Sequence, residues 1–114
     1  MLNNHLSNLY NEINWAIKID DTEKFIGLGG DHLPLDFDIE VAKGVFYKPI
    51  IVAAVTGKTD CLNVMIKNKN CAFDMAEEKT GTNAFWLSAF YGQADSLRIL
   101  ANAGANIFLK HKKT

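Results

Sequence analysis

Side-chain catalysis needs a nucleophile, a base and an orienting group that converge. His5, His32 and His111 lie in three separate regions with no recognisable motif around them, so no enzyme is expected. Gly27-Leu28-Gly29-Gly30 comes near a phosphate-cradling loop. It has neither the six-residue dinucleotide spacing nor a following Lys-Ser or Lys-Thr, and it reads as the end of a helix. Asp36, Asp38 and Glu40 alternate as calcium-loop carboxylates do, but the Gly and the distal Glu at fixed spacing are missing. Neither a metal ion nor a cofactor is expected. Cys61 and Cys71 have no companion at CxxC or HxxxH spacing for zinc and are too few for a secreted disulfide framework. Both read as reduced thiols, and a bridge would require the fold to bring them together. The asparagines, spread from Asn3 to Asn106, suggest no site.

With no reaction centre to position, the question becomes what the surrounding elements are for. The 114 residues are one domain's worth of chain. Hydrophobic residues at 48% and charged residues at 22% suit a chain that buries a core. Twelve Lys and Arg against thirteen Asp and Glu leave a net charge of −1, which gives no field favouring nucleic acid or an anionic membrane. The longest apolar runs, such as Pro49 to Val55, are far shorter than the roughly 20 residues that cross a bilayer, and the start lacks the basic-then-apolar order of a signal peptide. A cytoplasmic protein is expected, bound to neither nucleic acid nor membrane.

Periods of 20 to 50 residues signal stacked architectures, and the chain carries one. Pro49-Ile50-Ile51-Val52-Ala53-Ala54-Val55-Thr56-Gly57 aligns with Ala84-Phe85-Trp86-Leu87-Ser88-Ala89-Phe90-Tyr91-Gly92 at an offset of 92 − 57 = 35 residues. The correspondence continues with Asp60 over Asp95, Leu62 over Leu97, Val64-Met65 over Ile99-Leu100, and Phe73 over Phe108. Each unit reads as two short helices separated by a Gly, in the last unit about Ala84 to Tyr91 and Ala94 to Ala103. Gly57 and Gly92 end the first helices, Gly104 ends a second helix, and Thr59 and Asp95 are candidate starters of the second helices.

Residues Gly81-Thr82-Asn83-Ala84 through Gly92, followed by Leu97-Arg98-Ile99-Leu100-Ala101-Asn102-Ala103-Gly104-Ala105-Asn106, resemble the ankyrin repeat. That family's pattern runs G-x-T-P-L-H-x-A-A-x-x-G, then v-x-L-L-x-x-G-A-d. The middle unit keeps Pro49, the Ala pair and Gly57, with Lys69-Asn70 in place of the Gly-Ala step. Near the start, Trp15-Ala16 through Phe25 resembles an N-terminal capping repeat, with Asp20-Asp21 in place of the step between helices. The family's loop His is Ile51 in one unit and Trp86 in the other, so apolar packing must replace its hydrogen bonds. Between the first and second units, Leu33-Pro34-Leu35-Asp36-Phe37-Asp38-Ile39 alternates as an extended arm or short edge strand would.

The resemblance implies an all-α ankyrin-repeat solenoid of about three helix-turn-helix units with hairpin-like finger loops, forming one domain over 1–114. Its parts would be a capping repeat at about 1–30, an extended insertion or finger at 31–47, a second repeat at 48–78, and a third repeat with the start of the next finger at 79–114. It also implies a non-enzymatic scaffold that binds a protein partner on a concave face built from finger tips and first-helix ends. The expected partner-binding residues are Tyr47, Val55, Thr56, Lys79, Thr82, Phe90, Tyr91 and Lys112, the last within the basic cluster 110–113, with Lys18 and Ile19 from the first unit. The aromatic ones lead because aromatic residues dominate interface energetics. Phe90 either stays exposed or folds back over its own finger.

Trp15 and Trp86 read as core. The stripe Leu2, Leu6, Leu9, Ile13 and Ala16 or Ile17 reads as a helix capping the stack, with docking elsewhere as its alternative. Two other roles fit the same scaffold: a regulator of an actin-capping protein, as some small ankyrin proteins are, or a structural subunit or N-terminal part of a larger ankyrin assembly. Lys113-Thr114 matches Lys79-Thr80, so further repeats or a subunit are expected to pack at the C-terminal end.

Overall fold

A proline followed by an apolar run starts the central helix. Pro49 takes its first position, where the missing N–H costs nothing, and Lys48 before it is extended. The computed structural model describes residues 2–77 and 81–105. In chain order these form α1 (Leu2–Lys18), α2 (Thr22–Gly27), β1 (Ile39–Ala42), β2 (Val45–Tyr47), α3 (Pro49–Val55), α4 (Thr59–Lys67), α5 (Ala84–Phe90) and α6 (Ala94–Ala103). None of the described helices is long and apolar enough to cross a membrane.

Three helix ends share one turn. Asp20, Gly57 and Gly92 have φ of 54, 71 and 72°. The N–H of each bonds three residues back, to Ile17, Ala54 and Ala89, and the next N–H reaches five back, from Asp21 to Ala16, Lys58 to Ala53 and Gln93 to Ser88, at 3.0, 2.9 and 2.8 Å. Paired bonds of this kind satisfy the last carbonyls of a helix and need a left-handed residue. Asp20 accepts that conformation without being glycine, and its carboxylate takes the N–H of Cys61 at 3.0 Å. Gly104 at φ 95° closes α6 in the same way. Asn83 caps α5 by accepting from Trp86 N–H at 3.0 Å, and Asp21 caps α2 by accepting from Lys24 N–H at 3.1 Å. Neither Thr59 nor Asp95 is a cap: Lys58 and Gln93 hold those positions without a side-chain capping bond.

Helices α1, α3 and α5 lie side by side, with α2, α4 and α6 behind them. The core runs through both layers, from Ile13, Ile17 and Phe25 through Ile50, Ile51, Leu62 and Met65 to Leu100, all fully buried. Burying each such side chain contributes about 1.5–3 kcal/mol. Polar bonds stitch the layers: Ser96 Oγ donates to Ala54 O at 2.7 Å, and Gln93 Nε2 to Val55 O at 3.0 Å.

The expected all-α ankyrin-repeat solenoid is corrected. Residues 39–47 form an antiparallel hairpin, pairing Ile39 with Tyr47, Glu40 with Phe46 and Ala42 with Val45, with a bulge between Glu40 and Ala42. The turn is closed by Gly44 at φ 77°, which suits a two-residue hairpin turn, and the β-branched and aromatic residues around it favour strands. The protein is thus mixed α/β, six helices and a two-stranded sheet among the described residues. Its radius of gyration of 13.3 Å is that of a compact globule of this length, about 13 Å. The expected arm at 33–39 is also corrected. Leu35 sits at φ 53°, breaking the extended run while its side chain enters the core, and strand pairing begins only at Ile39.

Both tryptophans are exposed instead of core, Trp15 by 55% and Trp86 by 41%. Ala16 and Ile17, not Trp15, face inward on α1. Trp86 occupies the position of Ile51, which is fully buried, but α5 packs mainly on α3 and α6.

Candidate functional site

The shared turns put equivalent residues in one row. Immediately before Asp20, Gly57 and Gly92 stand Lys18-Ile19, Val55-Thr56 and Phe90-Tyr91, at adjacent ends of the neighbouring helices α1, α3 and α5. Lys18, Ile19, Thr56, Phe90 and Tyr91 are exposed and Val55 is half-buried. Thr56 donates its hydroxyl back to Val52 O at 2.6 Å.

Tyr47, at the end of β2, joins this row. Its hydroxyl lies 3.3 Å from that of Tyr91, linking hairpin to helix end. Phe90 stands edge-on to Tyr91 with ring centroids 5.2 Å apart and is 81% exposed, so it does not fold back over its own loop. Burial, then the hydrogen bond to Tyr91 and the charges of Tyr91 and Glu77, push the Tyr47 hydroxyl up to about 12. It stays protonated at neutral pH, able to donate or accept. Rigid aromatic rings with polar tips can bury area at small entropic cost.

The remaining expected residues fare differently. Thr82 is buried, 6% exposed, and its carbonyl accepts Glu77 N–H at 2.8 Å, so it shapes the loop and is not open to a partner. Lys79, Lys112 and His111 lie outside the described residues.

Cys61 and Cys71 are free and buried. Burial pushes their thiols up to about 12 and about 11, with Asp20 adding to the effect at Cys61 and Asp36 at Cys71. A protonated, enclosed thiol is a poor nucleophile. His32 pairs with its neighbour Asp31 at 2.9 Å on the surface.

A cleft of about 200 Å³ opens elsewhere, between Tyr10 and Asn14 of α1 and residues 37–40. It includes Asp38 but neither His32 nor Asp36. Tyr10 and Phe37 stack across its edge, centroids 4.0 Å apart and planes within 9°.

Two of the asparagines, Asn68 and Asn70, carry structural bonds. Asn68 Nδ2 donates to Gly30 O and Leu33 O at 3.1 and 2.7 Å, and Asn70 Nδ2 to His32 O at 2.7 Å. They fasten the loop at 30–33 to the end of α4. Their partners lie 35 to 38 residues away, so no local pattern marks them.

Compared with known proteins, the chain matches no protein-family model and no curated protein.

Proposed function

We propose that this chain is a non-enzymatic protein-binding module whose contact surface is the row Ile19, Val55, Thr56, Phe90 and Tyr91 together with Tyr47. One observation carries the reading: Tyr47 and Tyr91 meet hydroxyl to hydroxyl at 3.3 Å beside a Phe90 ring that is 81% exposed. An aromatic cluster held between a strand and a helix end is ordered before binding, so it loses little freedom when a partner covers it. The sequence resemblance of residues 81–106 to the ankyrin repeat supports the same reading, because that scaffold serves protein recognition.

The test is affinity capture from native extract with the immobilised protein beside Tyr47→Ala, Phe90→Ala and Tyr91→Ala. A captured protein should be lost, or weakened about 30-fold, with Phe90→Ala or Tyr91→Ala, as for a hot spot of about 2 kcal/mol. If all three variants keep every partner, the surface is not a binding site.

A further inference from the structure

The helix pairs α3–α4 and α5–α6 correspond at an offset of 86 − 51 = 35 residues, yet they are buried differently. In α3, Ile51 and Ala54 are fully enclosed, whereas their equivalents in α5, Trp86 and Ala89, are exposed, Trp86 by 41%. In α4, Leu62 is fully enclosed and Ile66 half-buried, whereas their equivalents in α6 are a half-buried Leu97 and an exposed Ala101. What separates the two pairs is cover. Helices α5 and α6 lie on α3 and α4, with Ser96 Oγ and Gln93 Nε2 donating to the carbonyls of Ala54 and Val55. No helix follows α6 among the described residues. The face left open, Trp86, Ala89, Leu97 and Ala101, carries no charge. Asp95 and Arg98 sit where Asp60 and Asn63 do, exposed in both pairs, and so belong to the solvent side.

A helix array ends stably in water when its outer face is polar, and here the two ends differ. The outward side of α1 sets Asn8, Asn11, Glu12 and Lys18 around Trp15, all exposed and at helical spacing. The outward side of α5 and α6 has only apolar groups to offer. We propose that two copies of this chain pair through the open α5–α6 face about a two-fold axis, each Trp86 packing on the helices of the other copy. Such a contact repeats, between molecules, the burial that α5 and α6 give α3 and α4 within one. A two-fold sets the apolar face against itself, takes no charge out of water, and closes after two copies. Head-to-tail stacking would instead press Glu12 and Lys18 of α1 onto Trp86 at a desolvation cost, and would leave one apolar face uncovered at the end of every stack.

The test is sedimentation equilibrium of the full chain, together with Trp15→Phe, in which Trp86 is the sole tryptophan. A mass of twice 12.7 kDa is expected at high concentration, falling to 12.7 kDa on dilution. Over the same range the Trp86 emission should move to longer wavelength as water reaches the ring. Trp86→Glu and, separately, Ala101→Glu, both at exposed positions, should keep the far-UV circular dichroism of the parent and raise the dimer dissociation constant at least about tenfold. A parent chain that stays monomeric at about 200 µM, well above the micromolar range of weak interfaces, would overturn the proposal. So would variants that pair as tightly as the parent, or a Trp86 emission indifferent to dilution. Neither Trp86 nor Ala101 belongs to the aromatic row proposed to bind a partner, so the two readings fail separately.

Discussion

Ser88 Oγ is buried with no hydrogen-bond partner, while Ala53 holds the corresponding position in the preceding unit. Deleting a stranded hydroxyl removes its desolvation cost. Ser88→Ala is therefore expected to stabilise the fold by about 1 kcal/mol, raising Tm by roughly 4 °C in a thermal melt; a lower Tm would mean that the hydroxyl has a partner in solution. The thiols make a second prediction at this scale. Their pKa values rise from 9.0 to about 12 at Cys61 and about 11 at Cys71, burial being the larger cause. The native state then keeps protons that the unfolded chain gives up, so this stability is full below pH 9 and is lost as pH climbs through the window from 9 to 11–12. Each thiol contributes a slope of at most about 1.4 kcal/mol per pH unit. Urea midpoints should hold to about pH 8.5 and fall by about pH 10.5, and Cys71→Ala should flatten part of that fall. Neither effect was legible in the sequence, because both depend on burial by elements distant along the chain.

The helix ends were the most readable elements, since the left-handed positions Gly57, Gly92 and Gly104 are chemically marked and Asp20 fell at the same step. The hairpin was legible only as a hairpin-like finger within 31–47, and its strand bounds were not, because the alternation at 33–39 reads as extended whereas Leu35 is buried at φ 53°. Trp15 and Trp86 were misjudged for a related reason: periodicity gives a helix face, and only the packing of neighbours decides which face is covered. The aromatic row was legible by position, because it follows from counting back from those same turn residues. What fastens the loop before the hairpin can be tested directly. Asn68→Ala removes two bonds to the carbonyls of Gly30 and Leu33 and should cost about 2–3 kcal/mol in urea unfolding, with faster amide exchange in the loop it holds. A Cβ at Gly30 would stand under 3.0 Å from three atoms of the Phe25 ring, which is fully enclosed. Gly30→Ala should therefore destabilise by about 1–3 kcal/mol, and an unchanged midpoint would show that the ring has room to move.

Across the whole molecule, the apolar residues form one cluster from Ile13 and Ile17 on α1 to Leu100 on α6. Polar bonds run along the same path: Cys61 Sγ reaches Ala16 O at 3.9 Å and Ser96 Oγ reaches Ala54 O at 2.7 Å. A chain built of successive helix pairs can lose its terminal pairs one at a time, because each pair contacts mainly its neighbours. Here the two layers share a continuous core within a radius of gyration of 13.3 Å, and α3, whose residues from Pro49 to Ala54 are all buried, touches α1, α4, α5 and α6. Opening either end would expose part of α3, which couples the ends through it. Ile17→Ala and Leu100→Ala, at opposite ends, should each cost about 2–5 kcal/mol, and each should lower the hydrogen-exchange protection of the slowest amides in α3 by that full amount. If Leu100→Ala instead loosens α5 and α6 while α3 keeps its protection, the C-terminal pair unfolds on its own. The aromatic row, which includes residues from α1, α3 and α5, would then be interrupted whenever that pair opened.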